Sequence, residues 1–361
     1  MRLSKSFLQN RNFLFISAGV IILFNMGCWC FGALFVMNFW IKQPIDDPLM
    51  LPPLDPAAED FFLPEDATLE ENETSQESGV EDNNSSVPAA GEKNEWIFLA
   101  IAIDYRGENY VYGLADVIRL VRVDFDHAQI NVVSLPRNLL VNVPTNRIQA
   151  ENPILLNQAY FFGSEGMQKY SGSGYGAGAL AETIQANFGI TVDHYVVINF
   201  GGFIQIIDAL GGIEVNLPKE IKAEKEVLFP AGVQTLTGEE ALKLARTRTN
   251  YSDMERMDHQ NLILQAIFRK LTDPSVIYQL PELVNTLKGS VLTDVSPEQI
   301  LTLINLLPRL REEKIGYASP SADLMTPDKQ YIPSVRYEMQ ILRWDARLIN
   351  WIHESLWEDV K

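Results

Sequence analysis

The sequence contains little cysteine, little histidine and few basic residues. Among its 361 residues are only two cysteines, Cys28 and Cys30, and both lie in an apolar N-terminal stretch. The rest of the chain therefore has neither a disulfide framework nor a cysteine-based metal site. The four histidines show no ligand-like spacing, which disfavours a zinc enzyme. With 29 Lys and Arg against 47 Asp and Glu, the net charge of −18 disfavours a nucleic-acid-binding protein.

A long stretch near the N-terminus contains no charged residue. Residues 13–40 are almost continuously apolar and are long enough to cross a hydrocarbon core of about 30 Å as a helix. A cleavable signal peptide would have a shorter apolar region and a small-residue cleavage site, so we predict a retained transmembrane helix. Arg2, Lys5 and Arg11 precede this span, so residues 1–12 are predicted to be cytoplasmic. The residues after Trp40 are then predicted to be extracellular.

The segment after the apolar stretch is strongly acidic. Residues 43–95 contain fifteen acidic residues and one basic residue, Lys93, and are rich in Pro, Asn and Ser. Such a composition buries too little apolar surface to offset the entropy of ordering. We predict that residues 41–95 form a disordered extracellular linker; binding of cations or basic surfaces is the alternative.

From residue 96 onward, short apolar runs alternate with helical patterns. The run Trp96–Ile103 is typical of a central strand that is buried on both faces. Further strands are predicted at 117–123, 130–134 and 195–200. Helices are predicted at Gly178–Phe188, Phe203–Leu210, Ile300–Leu307 and from Ser252 or Asp253 to about Leu271. This alternation predicts an α/β sandwich.

Three charged residues stand at the ends of the predicted strands. Asp104 follows the first strand, and Asp116 opens the next strand twelve residues later. Two carboxylates at adjacent strand ends fit Mg²⁺, which prefers carboxylate oxygens. Arg137 follows the third strand, at the edge where ligands collect in α/β sheets. On spacing alone, the alternatives remain open: turn or capping aspartates, and an arginine in a surface salt bridge.

A second group of polar residues lies around the helix that starts near residue 253. Arg246 and Arg248 are two apart, so in an extended chain both guanidinium groups point the same way and can bind one anion. Asp253, Arg256 and Gln260 fall on one helical face. This concentration in an acidic chain suggests a phosphate site; solvated charges on an amphipathic helix are the alternative.

Taken in order, these residues resemble the motifs of the LytR-CpsA-Psr family of cell-envelope proteins over about residues 97–271. The matching elements are Asp104 with Arg106, Ala115–Ile118, Ser134–Arg137, Leu156–Tyr160 with Gly163, Tyr195–Phe203, Asp208–Val215, Leu236–Leu242, Arg246 with Arg248, and Asp253 with Arg256 and Gln260. Their common order and spacing carry the resemblance. It implies an α/β/α sandwich with a central mixed sheet, preceded by one transmembrane helix.

The resemblance also implies a function at the outer face of the cell membrane. Such proteins transfer a glycopolymer from a polyprenyl-pyrophosphate carrier to peptidoglycan and form a phosphodiester. By position, Mg²⁺ would be held by Asp104 and Asp116. The pyrophosphate oxygens would be bound by Arg137, Arg246, Arg248, Arg256 and Gln260. The catalytic set would be Asp104, Arg106, Arg137 and Asp253. Arginines and a metal ion suit phosphoryl transfer, which depends on positioning and charge stabilisation.

Two positions depart from the family pattern. Asn138 stands where an aspartate is usual, and it cannot accept a proton, so activation of the acceptor hydroxyl would fall to Asp104, Asp253 or the metal. His259 stands where an arginine is usual and is only partly charged near neutral pH. The alternative function is therefore a polyprenyl-phosphate-binding or envelope-regulatory protein without transfer activity. The older family label, transcriptional attenuator, is disfavoured by the absence of a basic patch.

The globular part is predicted to consist of two segments. Residues 96–273 carry the motifs and are predicted to form the catalytic core. Residues 274–361 match the motifs poorly and are predicted to form a helical extension packed on that core. Met339–Leu356 has the pattern of an amphipathic helix with tryptophans. A contact of this segment with the membrane or the acceptor wall is the alternative.

Overall fold

A computed structural model describes residues 45–53, 94–105, 110–223, 226–247, 253–280 and 289–360. Its strands are β1 (Glu95–Ile103), β2 (Ala115–Asp124), β3 (Gln129–Leu135), β4 (Leu140–Val141), β5 (Ile154–Leu155), β6 (His194–Ile198), β7 (Ile213–Leu217), β8 (Ile221–Ala223), β9 (Glu226–Phe229), β10 (Gly232–Leu236), β11 (Val291–Thr293), β12 (Ile315–Ala318), β13 (Met325–Ile332) and β14 (Tyr337–Trp344). Its helices are α1 (Leu156–Gly163), α2 (Tyr175–Phe188), α3 (Phe200–Ala209), α4 (Gly238–Arg246), α5 (Asp253–Leu271), α6 (Pro274–Ile277), α7 (Pro297–Leu306) and α8 (Ala346–Trp357).

The predicted membrane helix at 13–40 lies outside the described residues. Within the residues that are described, no helix is both long and apolar enough to cross a bilayer.

A six-stranded mixed sheet forms the centre of the fold. Its strand order is β11-β6-β1-β2-β3-β12. Strand β1 runs antiparallel to β2 and parallel to β6, and β3 runs antiparallel to β2 and parallel to β12. Helices cover both faces of this sheet, so the predicted α/β architecture with a central mixed sheet is confirmed.

The alternation of side chains along β1 explains why both faces of the sheet are covered. Leu99 and Ile101 point into a core formed with α1, α2 and α8, while Trp96 and Phe98 point into a second core with α5 and α7. All four side chains are buried. Full burial of such a side chain contributes about 1.5–3 kcal/mol to the free energy of unfolding, so helices packed on either face of the sheet stabilise the fold.

Helix α5 lies between two cores. Leu264 and Phe268 pack toward the central sheet. Ile263 and Ala266 instead join a separate cluster with α3, α4 and the antiparallel pair β7 and β10. Because apolar contacts hold α5 on two sides, the rotation of this helix is fixed, and with it the direction of its remaining polar face.

Most elements predicted from the sequence are present, but the C-terminal extension differs. The prediction of a helical extension is wrong in part, because this segment also contains β11 and β12, which complete the central sheet. The helix predicted at Met339–Leu356 is also wrong in its first part, since residues 337–344 form β14 and pair with β13. The indole of Trp344 donates to the Leu140 carbonyl at 2.7 Å, which holds this hairpin against the core. Helix α8 begins only after Asp345, whose carboxylate caps it.

Residues 45–53, which we call the strap, lie against the domain rather than in a free linker. The N–H of Asp46 donates to the Thr293 carbonyl at 3.0 Å, and the Thr293 N–H donates to the Asp46 carboxylate at 2.8 Å. The Gly174 N–H donates to the Asp47 carboxylate at 2.7 Å. The prediction of one disordered linker over residues 41–95 is therefore wrong for the strap, whose backbone and aspartates find partners on the edge strand β11 and at the start of α2.

Candidate active site

A pocket of about 180 Å³ lies at one edge of the central sheet. Because β2 runs antiparallel to β1 and β3, the start of β2 lies beside the ends of both neighbours, with Ala115 opposite Ile103 and Ile118 opposite Leu135. Helix α5 closes the pocket from the side. Its polar lining consists of Asp116, Arg119, Ser134, Arg137, Asn138, Arg256 and Gln260. The structure thus brings four of the predicted site residues, Asp116, Arg137, Arg256 and Gln260, into one pocket, together with Asn138.

Asp116 and Arg137 form an ion pair at the entrance to this pocket. The guanidinium Nη1 of Arg137 donates to the Asp116 carboxylate, and each side chain is 24% exposed. Such a pair keeps a guanidinium and a carboxylate fixed at the site while leaving both reachable by a ligand.

Asp104 lies beside this pair at the end of β1. Its carboxylate accepts from the Leu114 N–H at 3.0 Å, and its own N–H donates to the Leu114 carbonyl at 3.2 Å. These bonds fit the turn-closing role that the spacing left open. Burial raises the pKa of the Asp104 carboxyl; the negative charge of Asp116 adds to the rise, while the Leu114 N–H and Arg137 oppose it. The charges of Asp116 and Arg137 therefore both act on the Asp104 carboxyl, in opposite directions.

Helix α5 contributes Arg256 and Gln260, one turn apart on the same face. Both are buried, at 7% and 8% exposure, and both line the pocket. The Gln260 amide donates to the Ala245 carbonyl at 3.3 Å, which links α5 to the end of α4. The polar face of α5 is thus directed into the pocket by the two apolar contacts described above.

The remaining predicted site residues are not part of this pocket in the described structure. Arg246 ends α4, is exposed, and places its guanidinium 4.8 Å from the centre of the Phe200 ring. Arg106 and Arg248 lie outside the described residues. Asp253 is the first residue of α5, but its side chain is likewise not described.

The two positions that depart from the family pattern have distinct surroundings. Asn138 lines the pocket, and its buried side-chain oxygen has no hydrogen-bond partner among the described residues. His259 is 6% exposed, and burial lowers the pKa of its imidazole, with the Thr247 carbonyl opposing. The imidazole is therefore harder to protonate than a histidine in water, and it supplies less positive charge than the usual arginine would.

Sequence reasoning missed Arg119, which reaches the pocket from the middle of β2. Its guanidinium donates to Ser134, to the Asn261 side chain at 2.7 Å and to the Gln260 side chain at 3.4 Å. The available signal was the presence of two arginines, Arg119 and Arg122, inside the apolar run 117–123, because a charge within a strand covered on both faces must be largely buried.

The carboxylates that could bind a metal ion at this edge of the sheet are those of Asp104 and Asp116. Across the described residues, no group of three or more His, Cys, Asp or Glu side chains is arranged to hold a metal ion. Two carboxylates nevertheless match Mg²⁺, which commonly takes one or two protein carboxylates and completes its shell with water and phosphate oxygens.

A larger cavity of about 740 Å³ lies at the β6 and β11 edge of the sheet. Its lining is largely apolar and aromatic and includes Phe98, Tyr195, Val196 and Leu303. Ile45 of the strap forms part of its wall. An apolar chain rather than a polar ligand fits such a lining.

Comparison with known proteins gives one consistent result. The LytR_cpsA_psr family profile matches residues 63–335. A polyisoprenyl-teichoic acid–peptidoglycan teichoic acid transferase TagU from Oceanobacillus iheyensis is 28% identical over 215 residues, 59% of this chain and 63% of that protein. TagU from Enterococcus faecalis is 25% identical over 285 residues, 76% of this chain and 86% of that protein. TagV from Bacillus subtilis is 26% identical, and the match spans only 51% of its length.

Solved structures share the fold. The crystal structure of B. subtilis TagV superimposes with a TM-score of 0.57 at 24% identity, covering 74% of this chain and 97% of that one. A structure of TagT bound to LI-WTA gives a TM-score of 0.54 at 21% identity, covering 74% of this chain and 91% of that one. At these identities the likeness establishes the fold alone.

Proposed function

Because this chain belongs to the LytR_cpsA_psr family, we propose that it is a membrane-anchored phosphotransferase that moves a glycopolymer from a polyprenyl-pyrophosphate carrier to peptidoglycan. The names of its relatives, polyisoprenyl-teichoic acid–peptidoglycan transferases, support this class of reaction. The observation that carries the proposal is the pocket in which Asp116 and Arg137 lie together with Arg256 and Gln260. We further propose that residues 13–40 anchor the chain and that the domain faces outward.

The pocket has the charge that a pyrophosphate requires. Arg137 and Arg256 line it from opposite elements, the end of β3 and helix α5. Enzymes of phosphoryl transfer act mainly by positioning the phosphate and stabilising its charge, and guanidinium groups do both. We propose that these two arginines and Gln260 bind the pyrophosphate oxygens, and that the set is completed by Arg246 at the end of α4 and by Arg248 two residues later.

We propose Mg²⁺ as the cofactor, held by Asp104 and Asp116. Support comes from the raised pKa of Asp104, which reflects in part the nearby negative charge of Asp116. Two carboxylates that repel each other in this way gain from a shared cation. When bound, the ion would neutralise charge that develops on the transferred phosphate.

The acceptor hydroxyl must lose a proton as its oxygen bonds to the phosphorus that carries the glycan. The bond from that phosphorus to the bridging oxygen breaks, and polyprenyl phosphate leaves. Asn138 cannot accept the proton, so we propose that its removal falls to Asp104, Asp253 or the metal. Arg106 and Asp253 remain in the proposed catalytic set on the resemblance alone.

The apolar carrier chain needs a site of its own. We propose that the cavity of about 740 Å³ beside β6 accommodates part of it, because the lining is mainly aromatic and aliphatic. The strap contributes to the wall of this cavity, so the segment that follows the predicted membrane span borders the proposed lipid site.

A second candidate function is binding of the polyprenyl phosphate without transfer. The observation that favours it is Asn138, a neutral side chain in the pocket whose oxygen has no hydrogen-bond partner among the described residues. His259, whose burial lowers the pKa of its imidazole, also supplies less positive charge near α5 than an arginine would.

Transfer can be tested with the full chain in detergent micelles. The chain is incubated with a synthetic polyprenyl-pyrophosphate glycan, peptidoglycan fragments and Mg²⁺, and products are identified by mass spectrometry. We expect a glycan-phosphate adduct on the fragment, reduced about 100-fold or more in Asp116→Asn and Arg256→Gln. Arg269→Gln is the matched control, because Arg269 lies on the same helix but pairs with Glu312 at the surface. Bound but unreacted lipid in every condition would contradict transfer and support the binding function.

A further inference from the structure

Arg119 is a buried cation on the sheet side of the pocket. It lies on β2, three residues after Asp116, and is only 3% exposed. Its hydrogen-bond acceptors within the described part of the chain are neutral: the Ser134 hydroxyl, the Asn261 side chain and the Gln260 side chain. No carboxylate of the described residues lies within 4.0 Å of its guanidinium.

Such an arginine is costly to the folded chain. Removing a guanidinium from water without a counter-ion is unfavourable, and buried arginines are therefore normally paired. Arg122, on the same strand, follows this rule and binds Glu95 at 2.6 Å and Asp124 at 3.0 Å. Burial lowers the pKa of Arg119 to about 10, so it still carries its positive charge at neutral pH.

One edge of the Arg119 guanidinium is left with little to bind. The Nε hydrogen has no acceptor among the described residues. Within the described part of the chain, the neighbouring Nη2 makes one bond, the long 3.4 Å bond to Gln260. The hydrogens of Nε and Nη2 form the fork that binds two oxygens of a phosphate or carboxylate group.

The other edge of the guanidinium is held firmly in place. Asn261 accepts from Nη1 at 2.7 Å and itself donates to the Ser319 hydroxyl at 3.1 Å. Ser319 also donates to Ser134 at 3.3 Å, so one network joins β2, β3, α5 and the end of β12 around Arg119. The cation is therefore fixed before any ligand arrives.

We propose that Arg119 is an anion-binding residue of this pocket and supplies, from the sheet side, a guanidinium for a diphosphate group. It faces Gln260, while Arg137 and Arg256 line the same pocket from β3 and α5. The identity of the diphosphate as that of a carrier lipid rests on the proposed function, whereas the role of Arg119 requires only the anion.

The test measures diphosphate binding by isothermal titration calorimetry with the full chain in detergent micelles containing Mg²⁺. The two probes are inorganic pyrophosphate and farnesyl pyrophosphate. The variants are Arg119→Met, which removes charge and hydrogen bonds, and Arg119→Gln, which removes the charge but keeps a donor. Arg122→Met is the matched control, a paired arginine on the same strand.

We expect both Arg119 variants to weaken binding of both probes about 10- to 100-fold, and the Arg122 control to bind like the wild type. We also expect ligand-free Arg119→Met to melt no lower than the wild type, since an unpaired buried charge has been removed. Wild-type affinity in Arg119→Gln for either probe would overturn the proposal, and so would the absence of binding to the wild type. These readings do not depend on transfer, so failure of the transfer assay leaves them interpretable.

Discussion

The carboxylate of Asp47 connects the strap to the beginning of helix α2. Gly174 is the N-cap of α2 and has no side chain that could cap the helix. Its N–H donates instead to the Asp47 carboxylate at 2.7 Å, and the Asp47 carbonyl accepts from the Tyr195 hydroxyl at 2.8 Å. We therefore expect Asp47→Ala to destabilise the domain and to loosen the strap.

The size of the effect follows from what the substitution removes. Loss of a helix N-terminal cap costs about 0.5–2 kcal/mol, and a negative charge at that end adds about 0.3–1 kcal/mol. We expect Asp47→Ala to lower the free energy of unfolding by about 1–2 kcal/mol. In a domain of this size, that lowers the melting temperature by about 2–8 °C. Asp47→Asn keeps an oxygen acceptor and loses only the charge, so its effect should be about half as large.

Heat unfolding of the full chain in micelles, followed by circular dichroism, measures this difference. Hydrogen exchange at the Gly174 amide reports the local contact, and exchange there should become faster in Asp47→Ala. Asp126→Ala is a suitable control, because the Asp126 carboxylate bonds only the exposed Asn94 side chain among the described residues. A melting temperature within about 1 °C of the wild type, together with unchanged exchange at Gly174, would refute the reasoning.

Three further substitutions test the packing and electrostatics of the domain. A Cβ at Gly163 would lie 2.2 Å from the Ala179 Cβ, so Gly163→Ala should cost about 1–3 kcal/mol in urea unfolding, and adding Ala179→Gly should restore part of it. Glu182 binds Arg147 through both oxygens at 2.8 Å, so Glu182→Ala should cost about 2–3 kcal/mol and Glu182→Gln less. The pKa of His259 is lowered by burial, so the unfolded chain binds its proton first as pH falls. The folded state with a neutral His259 is therefore fully favoured above about pH 6.5 and loses free energy of unfolding as the pH falls below that value. The wild type should lose more stability than His259→Gln between about pH 7 and 5. Equal losses in the two proteins would contradict this.

The strands of the central sheet could be predicted because their apolar runs are a local property. Trp96–Ile103 is continuous and flanked by polar residues, and β1 differs from it by one residue. Strand β11 has only three residues and gains its place by pairing with β6, a tertiary contact without a local pattern. Residues 339–344 fall in the predicted helix because tryptophans at helical spacing continue into α8, but pairing with β13 makes them part of strand β14.

The candidate site could be predicted to the extent that its residues stand at strand ends or on one helical face. Asp116 and Arg256 are of this kind, because topology and helical periodicity bring such positions together. Arg119 is not, because its importance lies in having no counter-ion among the described residues. Which groups surround a buried charge is a property of the assembled layers, and the sequence does not contain it in any local form.

Because the strap is bound to the domain, the acidic segment that follows it does not set the distance between the domain and the membrane. Residue 53 and residue 94 both belong to the described domain, so the forty residues between them connect two points of the same domain and do not link the domain to the predicted membrane span. With residues 13–40 in the membrane, as the sequence predicts, only residues 41–44 separate the bilayer from the strap, and four residues reach at most about 14 Å. The domain would therefore sit directly on the membrane surface with its strap edge downward. Lengthening or shortening the acidic loop would leave that height unchanged.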